Sequence, residues 1–335
     1  MLWRIHQLRG ILVGEKTRTV GEALNNVLRE SLEDDGEVVV LGETVWSGGL
    51  WGVTRGLMEE FGDERVIETP VSENGIFEAT LGLALSGYRP VVEIYSADFM
   101  MVVANEVIND MAKWRAQHST PEILPITIRG PMGATGGLGP EHSQCVEKYF
   151  YSTPGLEVVV PGMPSSAAPL LSASIASDTP TLFFEHRRLY PMLVDDGVGA
   201  APSELGKARL VRRGNDVTVV SWGAALLDAL EAVTTLEEVG IDVELIELCS
   251  IAPMDFELVA HSASRTGHLV TVEEGTLFGG VGAEIVSTIV ERSEQQVSVA
   301  RVGMAHGIHS YTPQVESQIL PSPSKIEAAI RRVLS

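Results

Sequence analysis

Short apolar runs without polar alternation recur along the chain, and each is separated from the next by a segment with helical spacing. Residues 38–41, 91–95 and 126–128 are such runs, and the helical pattern of residues 20–32 precedes the first of them. A strand that is apolar on both faces must be covered on both faces, which is typical of parallel sheets with crossover helices. The sequence therefore predicts an α/β fold with doubly wound, mostly parallel sheets.

A break in this alternation divides the chain. Residues 191–206 have no clear periodicity and are rich in Gly, Pro and Asp, which is typical of a linker. We therefore predict a first domain at 1–190, a linker at 191–206 and a second domain at 207–335. Within the first domain, the pattern also predicts a long apolar helix over 99–116 and a helix over 143–151.

Composition excludes several classes of protein. The 45 acidic and 24 basic residues give a net charge of -21, which is unsuited to neutralising the phosphates of a nucleic acid. Cys145 and Cys249 are far apart in the sequence, so neither a disulfide framework nor a structural zinc site is indicated. Residues 1–14 lack the apolar core of a signal peptide, and no run is long enough to span a membrane. The sequence predicts a cytoplasmic protein without a metal site of its own.

Two glycine-rich segments invite interpretation as nucleotide-binding loops. The segment 133–139 lacks the Lys-Ser/Thr pair of a P-loop, and the segment 279–284 lacks the third glycine of a dinucleotide-binding turn. A nicotinamide-dependent oxidoreductase is therefore disfavoured.

The most informative segment reads Glu-Thr-Pro-Val-Ser-Glu-Asn-Gly at residues 68–75. It places Glu73 between the end of a predicted strand and the start of an apolar helix, where parallel sheets bind ligands. An acidic residue in a first helical turn also has an ordinary explanation, because it complements the helix dipole. The local pattern alone leaves both interpretations open.

The segment 68–75 is one of ten motifs that occur in order across nearly the whole first domain. They are Leu41-Gly-Glu43, Thr54-Arg-Gly-Leu57, residues 68–75, Gly87-Tyr-Arg-Pro90, Ala97-Asp-Phe99, Val107-Ile-Asn109, Ile128-Arg-Gly-Pro131, His142-Ser-Gln144, Pro154-Gly-Leu156 and residues 184–190. With these motifs, the chain resembles the beta subunit of the decarboxylating component of 2-oxo acid dehydrogenases, within the transketolase-like thiamine diphosphate enzymes. The resemblance implies an N-terminal pyrimidine-binding domain and a C-terminal transketolase-type domain.

The resemblance also implies roles for four residues. The Glu73 carboxyl group would hydrogen-bond the aminopyrimidine ring of the cofactor and activate it, Phe99 would stack on that ring, and Glu43 would lie near it. His142 would face the substrate, since an imidazole exchanges protons near neutral pH. From the residues alone, Phe99 could also be a core residue, Glu43 an exposed carboxylate at a strand end and His142 a structural histidine.

The sequence has no Gly-Asp-Gly motif, with which this class of enzyme holds Mg²⁺ and the cofactor's diphosphate. The resemblance therefore implies that a partner alpha subunit holds both, in an assembly of two alpha and two beta chains. The implied reaction is decarboxylation of a 2-oxo acid with transfer of the acyl unit to an acceptor such as lipoamide. One alternative is a two-component transketolase or acyloin-forming enzyme, which would pass a two-carbon unit to a carbonyl acceptor. Another is a scaffold subunit that has the fold but no catalytic activity.

The second domain departs from the family pattern in two places. Residues 247–253 read Glu-Leu-Cys-Ser-Ile-Ala-Pro and lack the arginine that the family usually has there, and residues 303–313 also differ. This domain docks the acyltransferase core in the large family complexes. Binding of such a core is therefore left open.

Overall fold

The computed structural model describes residues 18–119, 123–194 and 202–335, and its architecture depends on two sheets. In these residues the strands are, in chain order, β1 (Val38–Gly42), β2 (Val66–Glu68), β3 (Arg89–Glu93), β4 (Thr127–Met132), β5 (Glu157–Val159), β6 (Thr181–His186), β7 (Arg209–Arg212), β8 (Val217–Ser221), β9 (Val243–Glu247), β10 (Ser250–Ala252), β11 (His268–Thr276) and β12 (Ser298–Met304). The first sheet has the order β10-β5-β6-β4-β3-β1-β2, and the second has the order β12-β11-β8-β9-β7. All neighbours pair in parallel except β10 with β5 and β7 with β9. The predicted α/β class is confirmed.

Helices cover both faces of each sheet. They are α1 (Val20–Asp34), α2 (Leu57–Phe61), α3 (Glu73–Leu85), α4 (Trp114–His118), α5 (Pro164–Ala176), α6 (Ala225–Glu237), α7 (Phe256–Thr266), α8 (Val281–Arg292), α9 (Pro313–Ile319) and α10 (Pro323–Leu334). Successive strand residues enter opposite cores: Val91 packs with α1 and α5, whereas Val92 packs with α3. This two-sided burial is the physical reason that the strands read as continuous apolar runs.

The predicted helix over 99–116 is wrong as a single element. The chain instead forms a 3₁₀ helix at Ala97–Met101, a π-helix at Glu106–Met111 and then α4. Asn74 Nδ2 donates to Val102 O at 3.1 Å and to Glu106 Oε1 at 2.7 Å. These contacts lie where the regular helix is interrupted, between the 3₁₀ helix and the π-helix.

The predicted helix over 143–151 is also wrong, since only a 3₁₀ turn forms at Glu147–Tyr149. The Gln144 backbone N–H and side-chain amide both donate to Asp98 Oδ1 at 3.1 Å. A tertiary contact therefore fixes the backbone of this segment where the sequence pattern suggested a helix.

The two sheets share core and backbone contacts. Strand β10 follows the second domain's β9 in sequence but pairs with β5 of the first sheet, and one apolar core contains residues such as Phe184, Trp222 and Val259 from both halves. Residues 195–201 of the predicted linker and the N-terminal segment 1–14 lie outside the described residues. Within the described ranges, no helix combines the length and apolar composition needed to cross a bilayer.

Candidate active site

The four residues singled out in the sequence follow four strands that are neighbours in the first sheet, in the order β4-β3-β1-β2. Glu43 directly follows β1, Glu73 begins α3 shortly after β2, Phe99 lies beyond β3, and His142 lies in the loop beyond β4. Since these strands are parallel, their carboxyl ends meet at one edge. The fold therefore places all four residues on the side of the sheet where α/β proteins bind ligands.

Glu43 and Glu73 form a pair of partly buried carboxyl groups. Burial raises the pKa of Glu43, and the nearby Glu73 carboxylate raises that pKa further. Glu73 is the first residue of α3, and the preceding Ser72 makes no side-chain capping bond. Glu43 therefore retains its proton more readily than a free carboxyl group, and carboxyl groups at this edge can exchange a hydrogen bond with a nitrogen heterocycle.

Phe99 and His142 form the second pair. Their rings meet edge to face, with centroids 5.6 Å apart and planes at 72°. The His142 side chain is 38% exposed and Phe99 is partly buried, so both side chains are partly accessible to solvent. An accessible aromatic face beside an imidazole can hold a flat ligand next to a proton carrier.

Hydrogen bonds connect the two pairs through the backbone. Asn74, next to Glu73, holds Val102 and Glu106 of the segment that follows Phe99. Asp98, next to Phe99, holds Gln144 of the loop that carries His142. The chain therefore fixes the spacing between the residues of the two pairs.

Glu68 orders the loop after Glu43, a role that the sequence did not predict. Its carboxylate accepts from Thr44 N at 3.1 Å and from Trp46 N at 2.8 Å, while Thr44 has a φ of 58°. Glu68 occurs in the motif at 68–75, but its position at the end of a strand does not indicate which groups its carboxylate binds. The nearby Gly42 has a φ of 152°, and a Cβ there would lie 2.6 Å from Glu93 O.

A buried ionic network lies beneath the site. Arg129 is 1% exposed and donates to Glu185 Oε1 at 2.7 Å and to Glu93 Oε2 at 2.8 Å. Burial alone would lower the pKa of Arg129, but Glu185 and Glu93 raise it above its ordinary value. Tyr190 donates to Glu185 and stacks on Trp51, with centroids 5.1 Å apart. Sequence reasoning missed this network. Arg129, which lies among mainly apolar residues of β4, could have indicated it, because a buried charge requires partners.

A cavity of about 410 Å³ adjoins His142. Leu50, Trp51 and Leu138 supply apolar walls, and Arg187 supplies a cation. Arg187 also donates to Ser96 Oγ at 2.6 Å and to Gly133 O at 3.1 Å. The cavity thus offers one charged group in a largely apolar lining.

Comparisons with known proteins place this geometry in a family. Residues 16–192 match the family model of the transketolase pyrimidine-binding domain, and residues 206–326 match that of the transketolase C-terminal domain. The 2-oxoisovalerate dehydrogenase subunit beta of Bacillus subtilis is 36% identical over 321 residues, which cover 93% of this chain and 97% of that protein. The pyruvate dehydrogenase E1 component subunit beta of Staphylococcus epidermidis is 37% identical over 318 residues, which cover 92% and 96%.

The chain belongs to the family of 2-oxo acid dehydrogenase beta subunits. The resemblance seen in the sequence is thereby confirmed. A solved structure of a split-gene transketolase, described as an inactive beta4 tetramer, aligns with a TM-score of 0.79 over 94% of this chain and 98% of that chain. At 24% identity, this likeness concerns the fold, which agrees with the predicted two-domain transketolase-like architecture.

Membership of this transketolase-like family implies thiamine diphosphate as cofactor and an alpha subunit as partner. The described residues fit one half of that cofactor, because the Glu43–Glu73 pair and the accessible Phe99 ring suit a flat nitrogen heterocycle. In the described ranges, one group of potential metal ligands has its atoms within 4.8 Å of each other, namely Cys145, His186 and Glu274. That group is buried, so it does not suit an exposed diphosphate.

Hydrogen bonds already occupy the group formed by Cys145, His186 and Glu274. His186 Nδ1 accepts from Arg188 N at 3.1 Å, which assigns the proton to Nε2, and Nε2 lies 2.9 Å from Glu274 Oε2. Glu274 Oε1 accepts from Ala134 N at 2.7 Å. Burial opposes ionisation of Glu274, yet His186 and these donors hold its pKa at about 2. In this tautomer the Nε2 lone pair is not available to a metal, so Glu274 acts as an anionic bridge between the two halves of the family fold.

Glu273, beside that bridge, makes stability depend on pH. Burial, and then the Glu147 carboxylate, raise its pKa to about 8. Because the folded state holds this proton more tightly than the unfolded state, the stabilisation is complete below the ordinary value of 4.5 and is lost as pH rises through about 8. We expect the free energy of unfolding to fall by up to about 1.4 kcal/mol per pH unit between these limits.

Urea unfolding of the full chain at pH 6 and pH 8 measures this slope. Glu273→Gln should flatten it, because the amide is neutral at both pH values. Glu257→Gln changes an exposed glutamate of α7 and should preserve the slope. Equal slopes in the wild type and the Glu273→Gln variant would contradict the assignment.

Proposed function

We propose that this chain is the catalytic beta subunit of a heteromeric thiamine diphosphate enzyme that decarboxylates a 2-oxo acid and passes the acyl unit to an acceptor such as lipoamide. The observation that carries the proposal is the placement of Glu43, Glu73, Phe99 and His142 at the carboxyl edge of one parallel sheet, where the Phe99 and His142 rings meet edge to face. The beta subunits of 2-oxoisovalerate and pyruvate dehydrogenases among the relatives support the same reaction class.

Each of the four residues has a role that its surroundings support. When bound, thiamine diphosphate supplies a nucleophilic thiazolium carbon and an electron sink. Glu73 would hydrogen-bond a ring nitrogen of the aminopyrimidine and exchange a proton with it, and Glu43 would lie near that ring. Phe99 offers its ring face for stacking. His142, beside Phe99 and at the cavity, carries a proton to or from the substrate.

The diphosphate half of the cofactor requires a second chain. Mg²⁺ prefers carboxylate and carbonyl oxygens in an octahedral arrangement together with phosphate oxygens. The sequence lacks the Gly-Asp-Gly motif, and the described candidate ligand group is buried. We therefore assign Mg²⁺ and diphosphate binding to the alpha subunit, in an assembly of two alpha and two beta chains.

The cavity beside His142 favours a 2-oxo acid over a sugar phosphate. Its walls at Leu50, Trp51 and Leu138 suit an acyl chain, while Arg187 is one cation suited to a carboxylate. A phosphorylated sugar would require several basic groups and many hydrogen-bond partners. A two-component transketolase therefore remains the less supported alternative.

Two further assignments complete the proposal. We place the domain boundaries at 1–190 and 207–335, with a linker at 191–206. An acyltransferase core is a candidate partner of the second domain, whose departure from the family pattern at 303–313 includes the exposed Ile308 and Tyr311 and would alter that docking surface. Placement in the cytoplasm is proposed on the composition and cysteine content of the sequence.

Co-expression with an adjacent reading frame that encodes Gly-Asp-Gly tests the function. The purified complex should release carbon dioxide from carboxyl-labelled pyruvate or 2-oxoisovalerate when thiamine diphosphate and Mg²⁺ are present, and this chain alone should not. Supplying lipoamide or an aldehyde as acceptor separates acyl transfer from carbonyl transfer. Activity of the isolated chain, or turnover of ketose phosphates only, would contradict the proposal.

A further inference from the structure

The glycine-rich loop at 133–139 is packed against residues of the second domain, which explains glycines that no nucleotide-binding motif accounts for. Gly137 has a φ of 95°, and a Cβ there would lie 2.6 Å from Tyr311 O. Gly139 has a φ of 86°, and a Cβ there would lie 2.1 Å from the Tyr311 ring. Both positions therefore require glycine for backbone conformation and for close approach.

Glu316 of α9 holds the middle of this loop. It is 1% exposed, and its Oε2 accepts from Gly137 N at 2.9 Å. Its Oε1 lies 3.2 Å from His309 Nδ1, so both carboxylate oxygens have partners. A buried carboxylate whose two oxygens both have partners is a fixed anchor for this loop.

Tyr311 holds the end of the loop next to His142. Its hydroxyl donates to Glu141 Oε1, and this bond lowers the pKa of the Glu141 carboxyl group. Glu141 Oε1 lies 3.9 Å from His142 Nδ1. The start of the loop is held in the same way by Glu274, which accepts from Ala134 N. The second domain thus contacts the loop at its start, middle and end.

We propose that Glu316 and Tyr311 are positioning residues that set the loop so that His142 meets the substrate beside Phe99. This inference rests on the function proposed above, because it assigns His142 to the substrate step. Cofactor activation belongs to Glu73, which starts α3 at the other side of the site. A change in Glu316 or Tyr311 should therefore slow decarboxylation and leave cofactor activation intact.

The test uses the complex with the alpha subunit and two readouts. Tyr311→Phe should lower kcat/KM for carbon dioxide release about 3–10-fold, and Glu316→Ala about 100-fold, because small misplacements of a catalytic group are costly. The rate of hydrogen–deuterium exchange at the thiazolium carbon should stay within about twofold of wild type. Loss of an acid–base group would change it by a much larger factor, about 10²–10⁴-fold. Tyr88→Phe removes a hydroxyl from a tyrosine at the opposite, amino end of the strands and serves as the matched control.

A double-mutant comparison decides whether the two residues act through His142. In a His142→Ala background, Tyr311→Phe and Glu316→Ala should cause no further loss, since coupled residues are not additive. Full additive losses, or equal losses in exchange and decarboxylation, would overturn the inference. Inactivity of the wild-type complex would instead refute the proposed function, so the two failures are distinguishable.

Discussion

Replacing Glu73 with Gln in the complex is expected to slow hydrogen–deuterium exchange at the thiazolium carbon of bound thiamine diphosphate by about 10²–10⁴-fold. The physical reason is the loss of a group that can hold and release a proton beside the aminopyrimidine. The neutral amide keeps the shape of the side chain but cannot give a proton to a ring nitrogen and take it back. Exchange followed by NMR after rapid quenching measures this step without requiring substrate turnover.

The same experiment needs a control on the same helix. Glu78→Gln removes an exposed carboxylate from α3, a little more than one turn beyond Glu73, and should leave exchange unchanged. Glu43→Gln should have an intermediate effect, because the carboxyl pair would lose one member while Glu73 remains. Unchanged exchange in Glu73→Gln, with cofactor still bound, would remove Glu73 from its assigned role.

Arg129→Gln is expected to destabilise the chain by about 3–5 kcal/mol, as in other cases where one member of a buried ion pair is removed. The substitution leaves Glu93 and Glu185 as adjacent buried carboxylates without their cation. Burial, the proximity of Glu185 and the loss of Arg129 would then all favour protonation of Glu93. The loss should therefore be smaller at pH 5 than at pH 8.

Chemical unfolding of the full chain at both pH values measures this effect. Arg115→Gln removes an exposed arginine of α4 and should change stability by less than about 0.5 kcal/mol. A loss below about 1 kcal/mol in Arg129→Gln would mean that the network does not have the stabilising role assigned to it.

The sequence predicted the fold class because several strands contain consecutive apolar residues without polar alternation. Val91 and Val92 belong to different cores, and this two-sided burial leaves a continuous apolar run that local pattern can detect. The position of Glu73 at a strand-to-helix junction was likewise a local signal, and the structure places it at the start of α3. Its role, however, came from the family resemblance.

Features that depend on contacts between distant residues were not predicted. The helix over 99–116 is interrupted where Asn74 binds Val102 and Glu106, about 30 residues away in sequence. Glu316 contacts Gly137 across 179 positions, and nothing near either residue indicates the other. Local periodicity carries no information on such pairings. The sequence could therefore exclude a nucleotide-binding motif in the glycine-rich loop at 133–139, but it could not show what the loop packs against.

Strand β10 has a consequence for how these chains can be recombined. In the sequence, β10 follows the linker and β5 precedes it, yet β10 pairs with β5 and forms the outer edge of the first sheet. A chimera joined within 191–206 would therefore inherit that edge from the donor of its second half. The exchange would bring a foreign sequence into the first sheet, and a fragment ending at the linker would leave the backbone of β5 as an open edge for self-association.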